Sequence, residues 1–157
     1  MEPQKTNTRR NQDIDLKFDS SKVCVKFSDI HGRGVFTKQP IELNEVIEIF
    51  PLTPCVFRTN YQGDPTVIHY GFVNDNCPCE ECKKHGPQIY LSSGYANMYN
   101  HQEAETCNAR LEIDFNELYG QVIANKTIKI DEEIVIDYGP NYNFPQGKIT
   151  NHEDSPR

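Results

Sequence analysis

The chain has 157 residues, of which 36 % are hydrophobic, and its 16 basic and 23 acidic residues give a formal net charge of −7. This length suits one domain with a sizeable core. The acidic balance argues against direct binding to nucleic acid, because such binding depends on Lys and Arg displacing counterions from phosphates. An acidic surface suits a basic partner such as a Lys/Arg-rich tail, and simple solubility is the alternative explanation.

Polar ends flank the central sequence. Residues 1–20 and 145–157 contain few apolar side chains, so we predict flexible tails there. No apolar run approaches the ~20 residues that a membrane span requires, and no charged-then-apolar leader marks a signal peptide. We therefore expect a cytoplasmic protein without membrane contact.

Short strands separated by turns dominate the chain. Alternating or apolar residues predict strands at 23–27, 46–50, 67–73, 109–115, 121–124, 128–130 and 134–136. A turn with two glycines able to take positive φ is predicted over 28–34, and an acidic turn over 131–133. Only 94–100 indicates a helix, and a short one. The prediction is a mainly β domain of the α+β kind.

Three cysteines lie close together in the segment N-C-P-C-E-E-C: Cys77, Cys79 and Cys82. Six cysteines in a chain without a secretion signal argue against a disulfide framework. Three thiolates at this spacing lie within reach of one metal ion, and tetrahedral zinc prefers four thiolates, or three thiolates and an imidazole. We take Cys107 as the fourth ligand, with Cys55 and His85 as alternatives. Loop thiols that bind no metal are the competing interpretation.

Three motifs occur in a fixed order: G-R-G-V-F at 32–36, Asn100-His101 after a Gly-containing aromatic stretch, and Asp137-Tyr138-Gly139 after the acidic turn. Together they resemble the SET-domain protein lysine methyltransferases. That family has G-x-G-[VIL]-[FY] early, N-H-S-x-x-P-N late and E-[EL]-[IL]-x-x-[DS]-Y-G near the end. The resemblance covers residues 22–143 and is closest to short, free-standing viral and bacterial members.

The resemblance implies a SET-type β-clip fold of small twisted sheets with a C-terminal pseudoknot. It implies one SET domain over 21–144, with a cysteine-containing insert over 74–87. Many SET enzymes bind zinc through cysteines after the D-Y-G segment, but this chain has none there. A host-cell nucleus is the alternative location if the source is a eukaryotic virus, and a homodimer is left open.

The implied reaction moves a methyl group from S-adenosylmethionine to a lysine of a basic protein, histone-like or other. The ammonium, with a free pKa near 10.4, must lose a proton, and its nitrogen must align with the sulfonium methyl. A channel of Tyr hydroxyls and backbone carbonyls suits this task. One alternative is a SET-like module that binds a basic peptide without turnover. A zinc-dependent interaction protein is the other.

By resemblance, Tyr138 is the central channel tyrosine, Tyr95 stands close to the channel, and Tyr142 lies beside the substrate nitrogen. For each, packing in the core or exposure at the surface is the alternative. Tyr142 stands where the family has Tyr or Phe, and a hydroxyl there fills space that further methyl groups need. It therefore predicts mainly mono- and dimethylation.

The resemblance also gives the residues that hold the cofactor: His31, Gly32, Arg33, Gly34, Asn100, His101 and Asn108. Arg33 is expected to reach the cofactor's carboxylate or to face solvent. The Asn-His loop departs from the family pattern, because Gln102 replaces Ser, two residues are inserted and Cys107 replaces Pro. We expect this loop to bulge, and the departure favours the module without turnover.

Overall fold

The computed structural model describes residues 17–58, 62 and 70–139. The predicted tail over 145–157, Tyr142 and residues 1–16 of the predicted tail over 1–20 lie outside this described part. The end of the N-terminal segment is not a free tail, because Asp19 pairs with Ile49 in an isolated bridge and the Ser20 hydroxyl donates to Glu48. None of the helices found within it has the length and apolar character needed to cross a membrane.

Short strands make up most of the described chain. The strands are β1 Val23–Phe27, β2 Arg33–Thr37, β3 Val46–Arg58, β4 Phe72–Val73, β5 Gln88–Ser92, β6 Asn100–His101, β7 Ala109–Asp114, β8 Tyr119–Ala124 and β9 Glu133–Ile136. A helix, α1, covers Glu80–His85, and a single 3₁₀ turn covers Ala96–Met98. The predicted mainly β class is confirmed.

The strands form one curled sheet in the order β1-β2-β9-β7-β8-β3-β5-β4, and β6 pairs with β9 beside this path. Strand β9 runs antiparallel to β2 but parallel to β6 and β7. Parallel partners cannot be joined by a tight hairpin, so the chain must travel around the sheet to bring them together. Strand β9 therefore enters between segments that are far apart in the sequence.

The core lies inside the curl of the sheet. Its fully buried side chains are mostly branched aliphatic residues from β2, β3, β8 and β9, with Phe50 and Tyr99 as the largest members. Phe50 stacks on Phe72 of β4, with 5.9 Å between ring centroids. Branched and aromatic residues fit a pleated, half-buried surface, which explains why these segments form strands.

Several local predictions need correction. Of the described residues in the predicted strand 67–73, only Phe72 and Val73 are strand. Segment 128–130 is not a strand, because only Ile128 pairs, in an isolated bridge with Ile41, and Ile130 is exposed. The predicted helix over 94–100 reduces to the 3₁₀ turn. Strands β2, β5 and β6 and helix α1 were not predicted, and β3 runs on to Arg58 instead of ending at residue 50.

Candidate functional site

Strand β9 brings the three sequence motifs together. Val35, in the strand that follows the glycine turn, pairs with Ile134. Asn100 pairs with Val135, and His101 with Ile136. The Asp137-Tyr138-Gly139 segment continues directly from the end of β9. The glycine turn, the Asn-His pair and the D-Y-G segment therefore meet around one strand, as the resemblance implies.

The turn before β2 is closed by backbone and side-chain contacts. The Ser28 backbone N–H donates to the Gly32 carbonyl over 2.9 Å, and Gly32 has φ +50°. The Ser28 hydroxyl lies 2.8 Å from both carboxylate oxygens of Glu133, the first residue of β9. Gly32 thus takes the left-handed conformation that glycine tolerates best.

Gly34 is required for a different reason from the one predicted. It lies in β2 and does not have positive φ. A Cβ atom there would stand 2.0 Å from Glu133 Oε1 and 3.1 Å from Asn100 Nδ2. The absence of a side chain at Gly34 therefore makes room for the Glu133 carboxylate and the Asn100 amide.

Asn100 fixes the glycine turn through its side chain. It is 7 % exposed, and its Nδ2 lies 3.1 Å from the His31 carbonyl and 3.2 Å from the Arg33 carbonyl. The same nitrogen lies 2.8 Å from Glu133 Oε1. Asn100 therefore connects the turn to β9, while its own backbone forms the adjoining strand β6.

His101 positions Tyr138. The Tyr138 backbone N–H donates to His101 Nδ1 over 3.0 Å, and the two ring centroids are 5.1 Å apart. An Nδ1 that accepts a hydrogen bond places the proton of the neutral imidazole on Nε2. Asp137 Oδ1 lies 3.8 Å from the same Nδ1. The histidine thus orients the first residues beyond β9.

Tyr138 carries the chemically informative contact. Its side chain is half-buried, and its hydroxyl donates to the backbone carbonyl of Tyr99. A hydroxyl that donates its proton still has acceptor lone pairs. Hydroxyl and carbonyl oxygens therefore lie side by side where β9 ends, and both carry partial negative charge.

A buried carboxylate supports this arrangement and was missed by the sequence analysis. Glu48 is 1 % exposed and accepts from the Tyr99 hydroxyl at 2.5 Å, the Tyr95 backbone N–H at 2.8 Å and the Ser20 hydroxyl at 3.0 Å. Burial, and then the charge of Glu48, raise the pKa of Tyr99 well above its usual value. The only signal in the sequence was an acidic residue within V-I-E-I-F.

The buried Glu48 carboxylate also holds Tyr95 in place through a backbone hydrogen bond. Tyr95 stands just before the 3₁₀ turn, is half-buried and packs against the core. Its backbone is joined through Glu48 to Tyr99, which holds the hydroxyl of Tyr138. Among the described channel candidates, Tyr95 and Tyr138 therefore belong to one hydrogen-bonded unit.

The altered Asn-His loop forms a compact turn. The backbone N–H groups of Thr106 and Cys107 both donate to the Glu103 carbonyl over 2.9 Å. This turn accommodates the two inserted residues and delivers Asn108 to β9. The Asn108 Nδ2 donates to the Glu133 carbonyl over 2.8 Å, and its Oδ1 accepts from the Val135 N–H over 2.9 Å. Its side chain is thus engaged with the strand rather than turned to a ligand.

Two candidates in the glycine turn, a histidine and an arginine, face outward. His31 and Arg33 are both exposed. The Arg33 guanidinium lies 4.7 Å from the centroid of the Phe27 ring, a cation–π contact. Arg33 therefore presents a positive charge at the rim of the turn. This position is compatible with both of its expected roles, contact with the carboxylate of a cofactor and exposure to solvent.

Three cysteine side chains form a cluster in the segment between β4 and β5. The Sγ atoms of Cys77, Cys79 and Cys82 all lie within 4.8 Å of one another. A hydrogen bond from Arg58 lowers the pKa of Cys82 to about 7. Cys107 is not brought to this cluster: it is buried, and its Sγ lies 3.3 Å from the Ala104 carbonyl. The expectation that Cys107 is the fourth ligand is therefore corrected.

Comparison with known proteins agrees with this geometry. The family model of the SET domain matches residues 32–139. No curated protein matches the chain. Among solved structures, the chain is similar to a Plasmodium falciparum protein, the candidate histone methyltransferase PFL0690c. The two share 30 % identity at a TM-score of 0.57, and the match covers 75 % of this chain and 93 % of that one.

The family match begins at the glycine turn and ends at Gly139, so it contains all three motifs that β9 brings together. It spans more than half of the 157 residues, and the similarity to the solved structure covers 75 % of the chain. The observed mainly β fold is of the SET type. The chain belongs to the SET-domain family, whose members are protein lysine methyltransferases.

Proposed function

We propose that this protein transfers a methyl group from S-adenosylmethionine to the side-chain amine of a lysine in a basic protein. The observation that carries the proposal is the contact between the Tyr138 hydroxyl and the Tyr99 carbonyl, beside the Asn-His pair. Two oxygens at that point attract a positively polarised methyl group and orient an incoming amine. Positioning of this kind supplies several kcal/mol of the barrier in a displacement between two bound reactants.

The residues around the glycine turn have the donor chemistry that this cofactor requires. Arg33 is an exposed guanidinium, which suits the carboxylate of the methionine part. Gly32 is only half-buried and has no side chain over its main chain, and the Asn100 amide fixes the carbonyls of His31 and Arg33 on either side of it. Bound there, the cofactor would supply a methyl group on a positively charged sulfur.

The reaction needs little acid–base machinery from the protein. When bound, the cofactor would supply the methyl group from a positively charged sulfur that leaves as a neutral thioether, and the Tyr138 hydroxyl and the Tyr99 carbonyl would hold the lysine nitrogen in line with it. The lysine proton is released to water before the displacement. Tyr99 stays protonated because its pKa is raised, so its hydroxyl remains a donor to Glu48 and its carbonyl stays in place for Tyr138.

A basic protein is the substrate class that the charge supports. The net charge of −7 attracts a Lys/Arg-rich segment over long range. The Plasmodium protein to which the chain is similar has a histone methyltransferase name, so a histone tail is the first substrate to test. A proteomic comparison of methylated lysines with and without the enzyme would identify the lysine and the natural partner.

The module without turnover is the second candidate function. Its support in the sequence was the altered Asn-His loop. The turn over Glu103–Cys107 accommodates the inserted residues, so the loop does not disrupt the contact between Asn108 and β9. The altered Asn-His loop therefore gives little support to a module without turnover.

Two measurements separate the candidates. Calorimetry with S-adenosylmethionine tests cofactor binding, and transfer of a labelled methyl group to histones and to a cell lysate tests turnover. We expect both to be positive. When the substrate lysines are acylated before the assay, no label should be incorporated. Binding without transfer would replace the proposal with the module that does not turn over. Absence of both would refute it.

A further inference from the structure

The segment between β4 and β5 lacks the usual means of holding its shape. Helix α1, Glu80–His85, has six residues and buries none of them. Strand β4 pairs with β5 at two positions only, Phe72 with Tyr90 and Val73 with Ile89. Isolated helices shorter than about 12 residues are marginal in water, and most helical stability comes from packing an apolar face. Something other than a hydrophobic core must therefore keep α1 in place.

The cysteine cluster is the feature at this position that can do so. Cys77 and Cys79 have their sulfurs 3.3 Å apart, and the third sulfur lies within 4.8 Å of both. All three thiols are free. Two ligands at about 2.3 Å from a tetrahedral zinc ion are about 3.8 Å apart, so small side-chain movements place the three sulfurs around one ion.

Neighbouring hydrogen bonds already hold two of the three thiols in place. The Cys82 backbone N–H donates to Cys79 Sγ over 3.4 Å. Arg58 Nη1 donates to Cys82 Sγ over 3.2 Å and to the Gly86 carbonyl over 2.8 Å, so it joins β3 to both the cluster and the end of α1. Such outer hydrogen bonds orient metal ligands and adjust metal affinity.

The chain also offers a fourth ligand of the right kind. His85 follows Cys82 by three residues on α1, and residues three apart lie on the same face of a helix. Its imidazole is exposed, and its Nε2 lies 3.8 Å from a carboxylate oxygen of Glu81. The imidazole nitrogens do not lie within 4.8 Å of all three sulfurs in the structure, so a change of the His85 rotamer must accompany metal binding. Three thiolates and an imidazole leave one net negative charge on a zinc site, which the Arg58 guanidinium balances.

We propose that Cys77, Cys79, Cys82 and His85 bind one structural zinc ion that fixes α1 and its flanking turns between β4 and β5. Three soft thiolates select zinc over magnesium or calcium. This inference does not depend on the proposed methyl transfer. It assigns a ligand set within the segment that precedes Tyr95 and the Asn-His pair, and it replaces Cys107 with His85.

Metal analysis tests the proposal directly. The protein is purified under reducing conditions without added zinc, and zinc is measured by mass spectrometry after exhaustive dialysis. We expect ~1 equivalent per chain in the unaltered protein and in Cys24→Ser, a control at a half-buried free thiol in β1. Cys79→Ser should lose the metal. Circular dichroism of this variant checks folding, and Cys79 is exposed, so its replacement leaves the core unchanged.

Affinity measurements separate the ligands from their neighbours. Competition with a chromophoric chelator should show His85→Ala and Arg58→Gln about 10–100-fold weaker in zinc affinity than the unaltered protein. Cobalt added to the apoprotein should give thiolate-to-metal absorption that Cys79→Ser lacks. Hydrogen exchange should report faster exchange across α1 after chelation, without change in β7 or β8.

Three results would overturn the inference. Less than about a tenth of an equivalent of zinc, both as purified and after reconstitution, would remove the site. Full zinc content in Cys79→Ser would place the metal elsewhere. Equal zinc affinity in His85→Ala and the unaltered protein would refute the fourth ligand.

Discussion

Replacement of Tyr138 by Phe is the most direct test of the candidate active site. The substitution keeps the ring against His101 but removes the hydroxyl that donates to the Tyr99 carbonyl. A carbonyl left without its partner costs about 1–3 kcal/mol. A domain of this size has about 5–15 kcal/mol of stability, so Tyr138→Phe should remain folded with a lowered Tm.

The effect on activity should be much larger than the effect on folding. Removing one preorganised polar group at a reacting centre costs about 10²–10³-fold in rate, or roughly 3–4 kcal/mol of activation free energy. We expect kcat for methyl transfer to a histone peptide to fall by about that factor. The affinity for S-adenosylmethionine should change little, because Asn100 and the glycine turn do not depend on the hydroxyl.

The assay combines three readouts on the same preparations. Label transfer gives kcat, calorimetry gives cofactor affinity, and thermal unfolding gives stability. Tyr119→Phe is the matched control, since it removes one hydroxyl from a half-buried tyrosine at the start of β8. Tyr119 pairs with Asp114, at the opposite end of β7 from Ala109, which pairs with Ile136 just before the D-Y-G segment. Unchanged turnover in Tyr138→Phe would refute the assignment of its hydroxyl to catalysis.

Three further predictions address the supporting residues and the product. Glu48→Gln presents an amide N–H to groups that donate to the carboxylate, and urea unfolding should show a loss of about 2–3 kcal/mol; an unaltered free energy of unfolding would contradict the buried role of Glu48. Gly34→Ala should weaken cofactor binding at least about tenfold, because the new Cβ displaces Glu133. In a Glu133→Ala background the same substitution should reduce cofactor affinity by a smaller factor. An equal loss of affinity in both backgrounds would exclude this clash as the cause. Tyr142→Phe should shift the product of a lysine peptide toward trimethylation without loss of activity; abundant early trimethyl-lysine from the unaltered protein, seen by mass spectrometry, would contradict it.

Local patterns identified much of the fold. The alternating segment of β1 was predicted with its observed bounds, Val23–Phe27, and β7, β8 and β9 were located to within two residues. Alternation specifies one buried face, so it is visible over a few residues. The errors fell where a segment has little pattern of its own. Residues 128–130 contain two isoleucines, but only Ile128 is buried.

The candidate site was only partly visible in the sequence. The motifs indicated the family, and the similarity of the chain to viral and bacterial members stays a prediction. Glu48 and Tyr99 were missed, because neither stands in a motif and their contact joins residues 51 positions apart. A shift in register between Val46 and Glu48 turns that carboxylate into the core. Simple alternation cannot anticipate such a bulge.

The sequence alone determined the order of the three motifs, the positions of the alternating strands β1, β7, β8 and β9, and the close spacing of the three cysteines, because each depends on neighbouring residues. Tertiary structure decided how the motifs meet. Ser28 contacts Glu133 across 105 positions and Asn100 contacts it across 33. It also decided that Gly34 provides space and that Cys107 lies outside the cysteine cluster. These facts follow from where β9 enters the sheet, and strand pairing over such separations leaves no local periodicity in the sequence.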